Sequence, residues 1–217
     1  LFVRSGDEPW LKGISNARMI KTDISHYSFE EQTRLPRLLV MAKIDLFFSP
    51  HFNVPYACPV PFIVTIHDLI LHRYPNNASK LKQYFYKFLM KRAVSKAKDI
   101  IAVSKFTANE LADEYGNRIA AKTTVIREGV NEKFVPASQE EKDRVLKKYN
   151  IQSPFFLYVG NAKEHKNVPL LLSAFAGLNG NMTLVLATGG SEADELELPS
   201  NVIKISSLPE NDLIALY

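Results

Sequence analysis

Residues 155–167 read FFLYVGNAKEHKN, and the next eight residues read VPLLLSAF. The first five residues are apolar and aromatic, with the length and composition typical of a buried parallel strand that Gly160 ends. Val168 then opens a helix, with Asn167 as its cap candidate and Pro169 in the first turn, where a missing N–H costs nothing. This order of strand, loop and helix predicts an α/β protein with a parallel sheet.

The loop between this strand and this helix carries Lys163, His165 and Lys166. Free backbone N–H groups at a helix N-terminus, the positive end of the helix dipole and lysine ammonium groups all attract phosphate. The loop therefore has the outline of an anion site. A solvated loop without a ligand is the alternative that this pattern leaves open.

Composition predicts a soluble, cytoplasmic protein with a substantial core. The chain has 217 residues, of which 46% are hydrophobic, enough for one large or two small domains. No apolar run approaches the roughly 20 residues of a spanning helix, and the first residues lack the pattern of a signal peptide. Cys58 is the only cysteine, which precludes an internal disulfide and indicates a reducing compartment.

Charge is distributed unevenly along the chain. Residues 1–150 hold 24 Lys and Arg against 16 Asp and Glu, whereas residues 151–217 hold 3 against 7. A basic first part indicates an anionic partner, and charge alone leaves phosphate-bearing lipid, nucleotide and nucleic acid open.

Predicted strands and helices alternate from end to end, which favours two Rossmann-like parallel-sheet domains. We place the first at residues 1–135 and the second at residues 136–217, with a linker around Phe134. Because Leu1 is not methionine and already reads as part of a strand, we expect the chain to begin inside a domain. We expect its last residue, Tyr217, to lie inside a helix that starts at Pro209.

His67 and Asp68 are the strongest site candidates in the first domain. They follow the buried strand predicted over residues 61–66, and ligands of open α/β sheets gather outside the carboxyl ends of the strands. The alternative is a satisfied strand-end histidine beside a helix-capping aspartate. A metal site with His51 and His72 is also conceivable, but no second carboxylate of suitable spacing stands out, so we predict no metal.

The helix predicted over residues 79–98 contains seven basic residues and no acidic one. We expect Leu81, Phe85 and Phe88 to face the core and the lysines to lie on the opposite side. A solvated lysine face is the plain interpretation. A peripheral contact with a membrane surface through residues 79–98 is the functional one.

Four segments together resemble retaining glycosyltransferases of family four, the large GT-B group that uses nucleotide-sugar donors. The pattern Y-V-G-N-x-K-x-H-K-N-x-x-x-L-L-x-A-F over residues 158–175 is similar to the opening of the family's C-terminal domain. VTIHDL at 64–69 is similar to its His-Asp signature. VSKFT at 103–107 and REGVNEKF at 127–134 resemble two further segments.

The resemblance implies specific roles for the candidate residues. Lys166 corresponds to the lysine that binds the donor diphosphate, and His67 to a histidine beside the reacting sugar in the interdomain cleft. The remaining residues assigned by the resemblance are Gly160, Asn161 and His165 near the diphosphate, and Asp68, Ser104 and Glu128 as possible cleft residues. Asn161 and His165 stand where many members carry arginine, and Glu128 where asparagine is usual.

The activity implied by the resemblance is transfer of a hexose such as mannose or glucose, with retention, in polysaccharide or glycan synthesis. The donor would be a UDP or GDP sugar and the acceptor a saccharide or lipid-linked sugar, with no metal or other cofactor. The family's first strand with its glycine-rich loop, and its later Glu motif, are absent from this sequence. The alternative is therefore a non-catalytic or fragmentary module that binds a partner chain or a membrane surface.

A phosphohydrolase or a nucleic-acid binder is a weaker third interpretation of the basic first part. The sequence lacks aromatic stacking motifs and metal-ligand spacing. We therefore expect no nucleic-acid partner.

Overall fold

The computed structural model describes residues 1–6, 14–74, 79–178 and 182–217. The chain forms two compact units, Leu1–Glu128 and Gly129–Tyr217. The predicted boundary followed residue 135, whereas residues 129–135 belong to the second unit by their contacts. Phe134 packs against Tyr217 there, with ring centroids 6.0 Å apart.

Parallel sheets form the centre of the first unit. Its strands are β1 (Phe2–Val3), β2 (Ile20–Lys21), β3 (Phe47–Ser49), β4 (Phe62–Ile66), β5 (Asp99–Ala102) and β6 (Thr123–Val125). Its helices are α1 (Phe29–Met41), α2 (Ile70–Arg73), α3 (Lys80–Lys96), α4 (Lys105–Tyr115) and α5 (Asn117–Ala120). β1 pairs with β2, and β3, β4, β5 and β6 form a four-stranded sheet in that order, all parallel.

The core of the first unit lies against β4 and β5, as their continuous apolar sequences predict. Val64, Ile66 and Ile100 are fully buried and pack with Met90 and Val94 of α3. Ser104 accepts a hydrogen bond from the backbone N–H of Thr107 and caps α4. The buried strands and the helix caps fix the direction in which the chain leaves the end of each strand.

The second unit is a three-layer α/β structure. Its strands are β7 (Phe155–Val159), β8 (Thr183–Ala187) and β9 (Val202–Ile205). They form one sheet in that order, and both pairs of neighbouring strands are parallel. Its helices are α6 (Gln139–Tyr149), α7 (Val168–Ala176), α8 (Ser191–Asp194) and α9 (Glu210–Leu216). Leu184 and Leu186 of β8 pack in a cluster with α7, and Val185 packs in a second cluster with α6 and α9. Successive strand residues point to opposite faces, so one strand serves both layers.

Two burial predictions were wrong. β7 is not fully buried: Phe156 and Val159 are exposed, because β7 is the edge strand and β8 occupies the protected centre of the sheet. The side of α3 with Leu81, Phe85 and Phe88 does not face the core either. Met90, Ala93 and Val94 are buried instead, and Tyr86 packs against the same core.

None of the helices in the described parts of the chain combines the length and the apolar composition needed to cross a bilayer.

A buried carboxylate joins α6 to α9 in the second unit. Asp212 is only 3% exposed. Its Oδ1 accepts from Arg144 at 2.8 Å, and its Oδ2 accepts from Lys148 at 2.6 Å and from the Tyr149 hydroxyl at 2.8 Å. Hydrogen bonds from Lys148 and Arg144 lower the pKa of Asp212 to about 2.

We expect Asp212→Asn to lower the melting temperature of the intact protein by a few degrees, because three donors lose a charged acceptor. The carboxylate stabilises the fold above the unfolded-state pKa of about 3.9, and this contribution falls as pH drops towards 2. Thermal unfolding between pH 7 and pH 2 measures both effects. Asp143→Asn, an exposed change on α6, is the control, and equal losses in the two variants would contradict the prediction.

Candidate functional site

The carboxyl edge of the four-stranded sheet gathers four chain segments. The parallel register pairs Ser49 with Val64 and Ile66 with Ala102. The residues that follow β3, β4, β5 and β6 therefore emerge at the same edge. These are Pro50, His67, Ser104 and Glu128 among others, and they include most of the candidates predicted for the first unit.

His67 is held by both of its ring nitrogens. Nε2 lies 2.9 Å from the carbonyl oxygen of Pro50, and Nδ1 lies 3.0 Å from Oε1 of Glu128. A neutral ring donates from one of these nitrogens and an imidazolium from both. The two oxygen partners fix the plane of the ring, while the side chain remains 43% exposed and accessible to a ligand.

The backbone of His67 is also fixed. Thr107 Oγ1 donates to the His67 carbonyl at 3.1 Å and lies 3.0 Å from Ser104 Oγ. Ser104 thus acts as the cap of α4 and as a neighbour of Thr107. The structure gives Ser104 a supporting position beside His67.

Asp68 has a structural contact of its own. Its Oδ1 accepts from the backbone N–H of Ile70 at 2.9 Å, at the start of the short helix α2. This contact is an Asx turn just before α2, whose N-cap is Leu69, so Asp68 is not the helix cap that the alternative expected. The Asp68 residue is nevertheless exposed, so its other oxygen remains accessible at the sheet edge.

The loop that carries Pro50 is held by hydrogen bonds that we did not predict from the sequence. Glu31 is buried, and its Oε2 accepts from the side-chain amide of Asn53 at 2.6 Å and from the backbone N–H of Tyr27 at 2.7 Å. Ser49 Oγ donates to the His51 carbonyl at 2.7 Å. The available signal was the Ser-Phe-Glu-Glu pattern at 28–31, which is a capping-box pattern.

His51 occupies the same loop with its own partners. Its Nδ1 accepts from the backbone N–H of Asn53 at 3.2 Å, and its ring lies 4.2 Å from that of Phe52. Burial, followed by the neighbouring His67 and His26, lowers the pKa of His51. A hydrogen bond accepted at Nδ1 and a lowered pKa both fit a neutral ring.

The residues considered for a metal site do not form one. His72 points to the Tyr115 hydroxyl, 3.0 Å from Nε2, and its ring packs edge-on against Tyr86. Burial lowers the pKa of His72. Over residues 1–6, 14–74, 79–178 and 182–217, no three His, Cys, Asp or Glu side chains are arranged to hold a metal ion.

The loop after β7 is the candidate anion site of the second unit. Gly160 has a φ of +154°, and a Cβ there would lie 3.2 Å from the Tyr158 hydroxyl. That hydroxyl donates to the Asn161 carbonyl at 2.7 Å. Glycine therefore allows the chain to fold back over Tyr158 as it leaves the strand.

Lys166 ends a 3-10 turn, Glu164–Lys166, and its residue is exposed. Asn167 is the N-cap residue of α7, as predicted, but it adopts the left-handed conformation, with a φ of +49°, and its side chain makes no capping bond. Its carbonyl instead accepts from Leu170 at 3.1 Å. Pro169 has no N–H and Val168 is fully buried, so the first turn of α7 offers few accessible backbone donors.

The structure thus brings Gly160, Asn161, His165 and Lys166 onto one short loop of the second unit. His67, Asp68, Ser104 and Glu128 lie at one sheet edge of the first unit. Their functional roles stay predictions.

Comparison with known proteins establishes the family. A sequence profile described as Glycosyltransferase Family 4 matches residues 6–134, well over half of the chain. The chain belongs to Glycosyltransferase Family 4. The O-antigen chain mannosyltransferase RfbU of Salmonella typhimurium is 24% identical over 163 residues, which cover 71% of this chain and 42% of RfbU.

Solved structures show the fold of this Family 4 chain. Anabaena HepE in complex with UDP-glucose has a TM-score of 0.67 at 15% identity, over 90% of this chain and 57% of HepE. A glycosyltransferase from Rickettsia africae has a TM-score of 0.63 at 16% identity, over 99% of this chain and 61% of that one. The chain spans less than two thirds of RfbU and of both structures. The predicted GT-B-like α/β fold is confirmed.

Proposed function

We propose that the intact protein transfers a hexose from a nucleotide-sugar donor to a saccharide or lipid-linked acceptor, in the synthesis of a cell-surface polysaccharide. The observation that carries this proposal is His67, held by Pro50 and Glu128 at the carboxyl edge of the sheet within a Family 4 sequence match. Similarity to an O-antigen mannosyltransferase and to HepE, solved with UDP-glucose, supports it.

In this proposal the second unit binds the leaving diphosphate. Lys166 supplies the positive charge, the dipole of α7 adds to it, and Gly160, Asn161 and His165 shape the loop. Charge develops on the diphosphate as the sugar leaves, so a preplaced cation stabilises the transition state more than the ground state.

His67 is proposed to donate a hydrogen bond to the reacting sugar. Glu128 would orient the ring by accepting at Nδ1, and a ligand oxygen would replace the Pro50 carbonyl or approach the exposed ring edge. Ser104 and Asp68 would border the same site. The proposed reaction retains the anomeric configuration of the hexose, and it uses no metal or other cofactor.

We further propose that the protein works in the cytoplasm and is peripheral to the inner face of the membrane. The basic composition of residues 79–98 and a lipid-linked acceptor both support this location.

The function is tested by incubating the intact protein with UDP- and GDP-hexoses and an oligosaccharide or lipid-linked acceptor, and by identifying the product by mass spectrometry. We expect transfer from one donor class at an unchanged rate in excess EDTA. Absence of transfer from every donor would contradict the proposal. A rate lost in EDTA and restored by a divalent ion would contradict its metal-independent mechanism.

A further inference from the structure

An exposed apolar band runs along α3. Leu81, Tyr84, Phe85 and Phe88 are 66%, 68%, 54% and 44% exposed. They are spaced three or four residues apart, so they lie on one side of a helix with 3.6 residues per turn. Single exposed apolar residues are ordinary on a protein surface, but four on adjacent turns form a patch that indicates an interaction.

The band lies opposite the side of α3 that packs on the sheet. Met90, Ala93 and Val94 are buried, and at about 100° per residue they lie on the far side of the helix axis from Phe88. The apolar band therefore faces away from the core of the first unit.

A second element extends the band. Tyr56 is 52% exposed, and its ring stacks on Phe88 with centroids 5.8 Å apart and planes 12° from parallel. Arg92 lies 4.8 Å over the Tyr56 ring and donates to the Tyr56 carbonyl. These contacts hold Tyr56 and Phe88 side by side as a preformed surface.

Lysines border the band along its length. The exposed Lys80, Lys87 and Lys91 fall on one flank by helical spacing, and the exposed Lys82 and Lys96 on the other. α3 contains no acidic residue. An aromatic band between two rows of lysines is complementary to a bilayer surface, where apolar rings enter the acyl boundary and ammonium groups meet anionic headgroups.

We propose that this band, formed by Leu81, Tyr84, Phe85, Phe88 and Tyr56, docks on a membrane surface that contains anionic lipid. This docking rests on the peripheral membrane location proposed above, and these side chains are the ones that contact the membrane. The apolar residues enter the bilayer interface, and the flanking lysines select the negatively charged lipids. This role for the exposed aromatics replaces the core role expected from the sequence.

The test is sedimentation of the intact protein with vesicles of phosphatidylcholine alone or with added phosphatidylglycerol. We expect binding only to the anionic vesicles, and we expect it to weaken with rising salt because headgroup attraction is screened. Equal binding to both vesicles, or binding to neither, would overturn the proposal.

Two variants separate the apolar and charged parts. Phe85→Ser with Phe88→Ser is expected to weaken binding by at least about tenfold, because two apolar rings no longer leave water. Lys87→Gln with Lys91→Gln is expected to weaken it by about 25-fold, or roughly fivefold per lysine. The matched controls are Phe29→Ser, 82% exposed on α1, and Lys147→Gln on α6.

Each outcome for the variants has a definite meaning. Wild-type binding by either double variant, or equal losses in the controls, would overturn the proposal. A concentration-dependent dimer that forms without vesicles and is lost in the Phe85→Ser, Phe88→Ser variant would also overturn the proposal. The band would then bind a second copy of the chain. Transfer to a water-soluble acceptor is measured in parallel. Its persistence when vesicle binding fails distinguishes failure of the docking proposal from failure of the proposed function.

Discussion

Lys166→Ala is expected to weaken binding of UDP or GDP to the intact protein by about tenfold to a hundredfold, the range of a hydrogen bond to a charged group. The turn before α7 offers few alternatives to this side chain. Pro169 lacks an N–H, and the N–H of Leu170 is bonded to Asn167. Backbone donors that help other helix N-termini to bind anions are thus scarce here.

Lys163→Ala is the matched control for this prediction. Lys163 lies on the same loop and is exposed, and its contributions to the turn come from the backbone. Its N–H bonds to Asn161 Oδ1, and its carbonyl accepts from the Lys166 N–H at 2.8 Å. Alanine preserves both bonds, so we expect a loss of at most about threefold.

Titration calorimetry with UDP and with GDP measures both variants. Lys166→Arg keeps the charge and should retain much of the affinity. Equal losses in the Lys163 and Lys166 alanine variants would remove Lys166 from its proposed role and indicate a general electrostatic effect of the loop.

Local sequence signals predicted the strand, loop and helix of residues 155–175 in the second unit. The apolar run of β7 and the following glycine fixed a strand and its end. The sequence pattern from Ser138 to Glu141 forms a capping box at the start of α6, with both reciprocal hydrogen bonds present. Such signals depend on residues within one turn, so a single sequence reveals them.

The side of α3 that faces the core could not be predicted. Two apolar bands follow helical spacing in this sequence, and each contains aromatic residues: Tyr84, Phe85 and Phe88 in one, and Tyr86 beside Met90, Ala93 and Val94 in the other. Periodicity identifies both bands, but not which of them lies against the sheet. The choice depends on how closely the helix approaches β4, which is a property of the folded unit.

The contacts that His67 makes with Pro50 and Glu128 could not be predicted from the sequence either. Glu128 lies 61 residues further along the chain and Pro50 lies in the preceding loop, and the parallel register of β3, β4 and β6 brings them to His67. The resemblance supplied His67 and Glu128 as separate candidates. Their ion pair follows only from the sheet.

His67→Ala is expected to lower kcat of the intact protein by about a hundredfold or more, the loss seen when one donor to a developing charge is removed. Donor affinity should change by no more than about threefold, because the proposed diphosphate contacts belong to the second unit. Initial rates of hexose transfer and calorimetric binding of the nucleotide separate the two quantities. Equal losses in rate and nucleotide affinity would contradict a role at the reacting sugar.

Glu128→Gln tests how the histidine acts. Glutamine can still accept a hydrogen bond from Nδ1 but lacks the charge of the carboxylate, so we expect a smaller loss, about tenfold in kcat. The pH profile of kcat should also move in this variant, since the charge beside the ring has gone. Asp99→Asn removes an exposed carboxylate at the opposite, amino end of β5 and should leave the rate unchanged. A Glu128→Gln enzyme with wild-type rate and pH profile would show that the 3.0 Å contact between Glu128 and His67 has no part in catalysis.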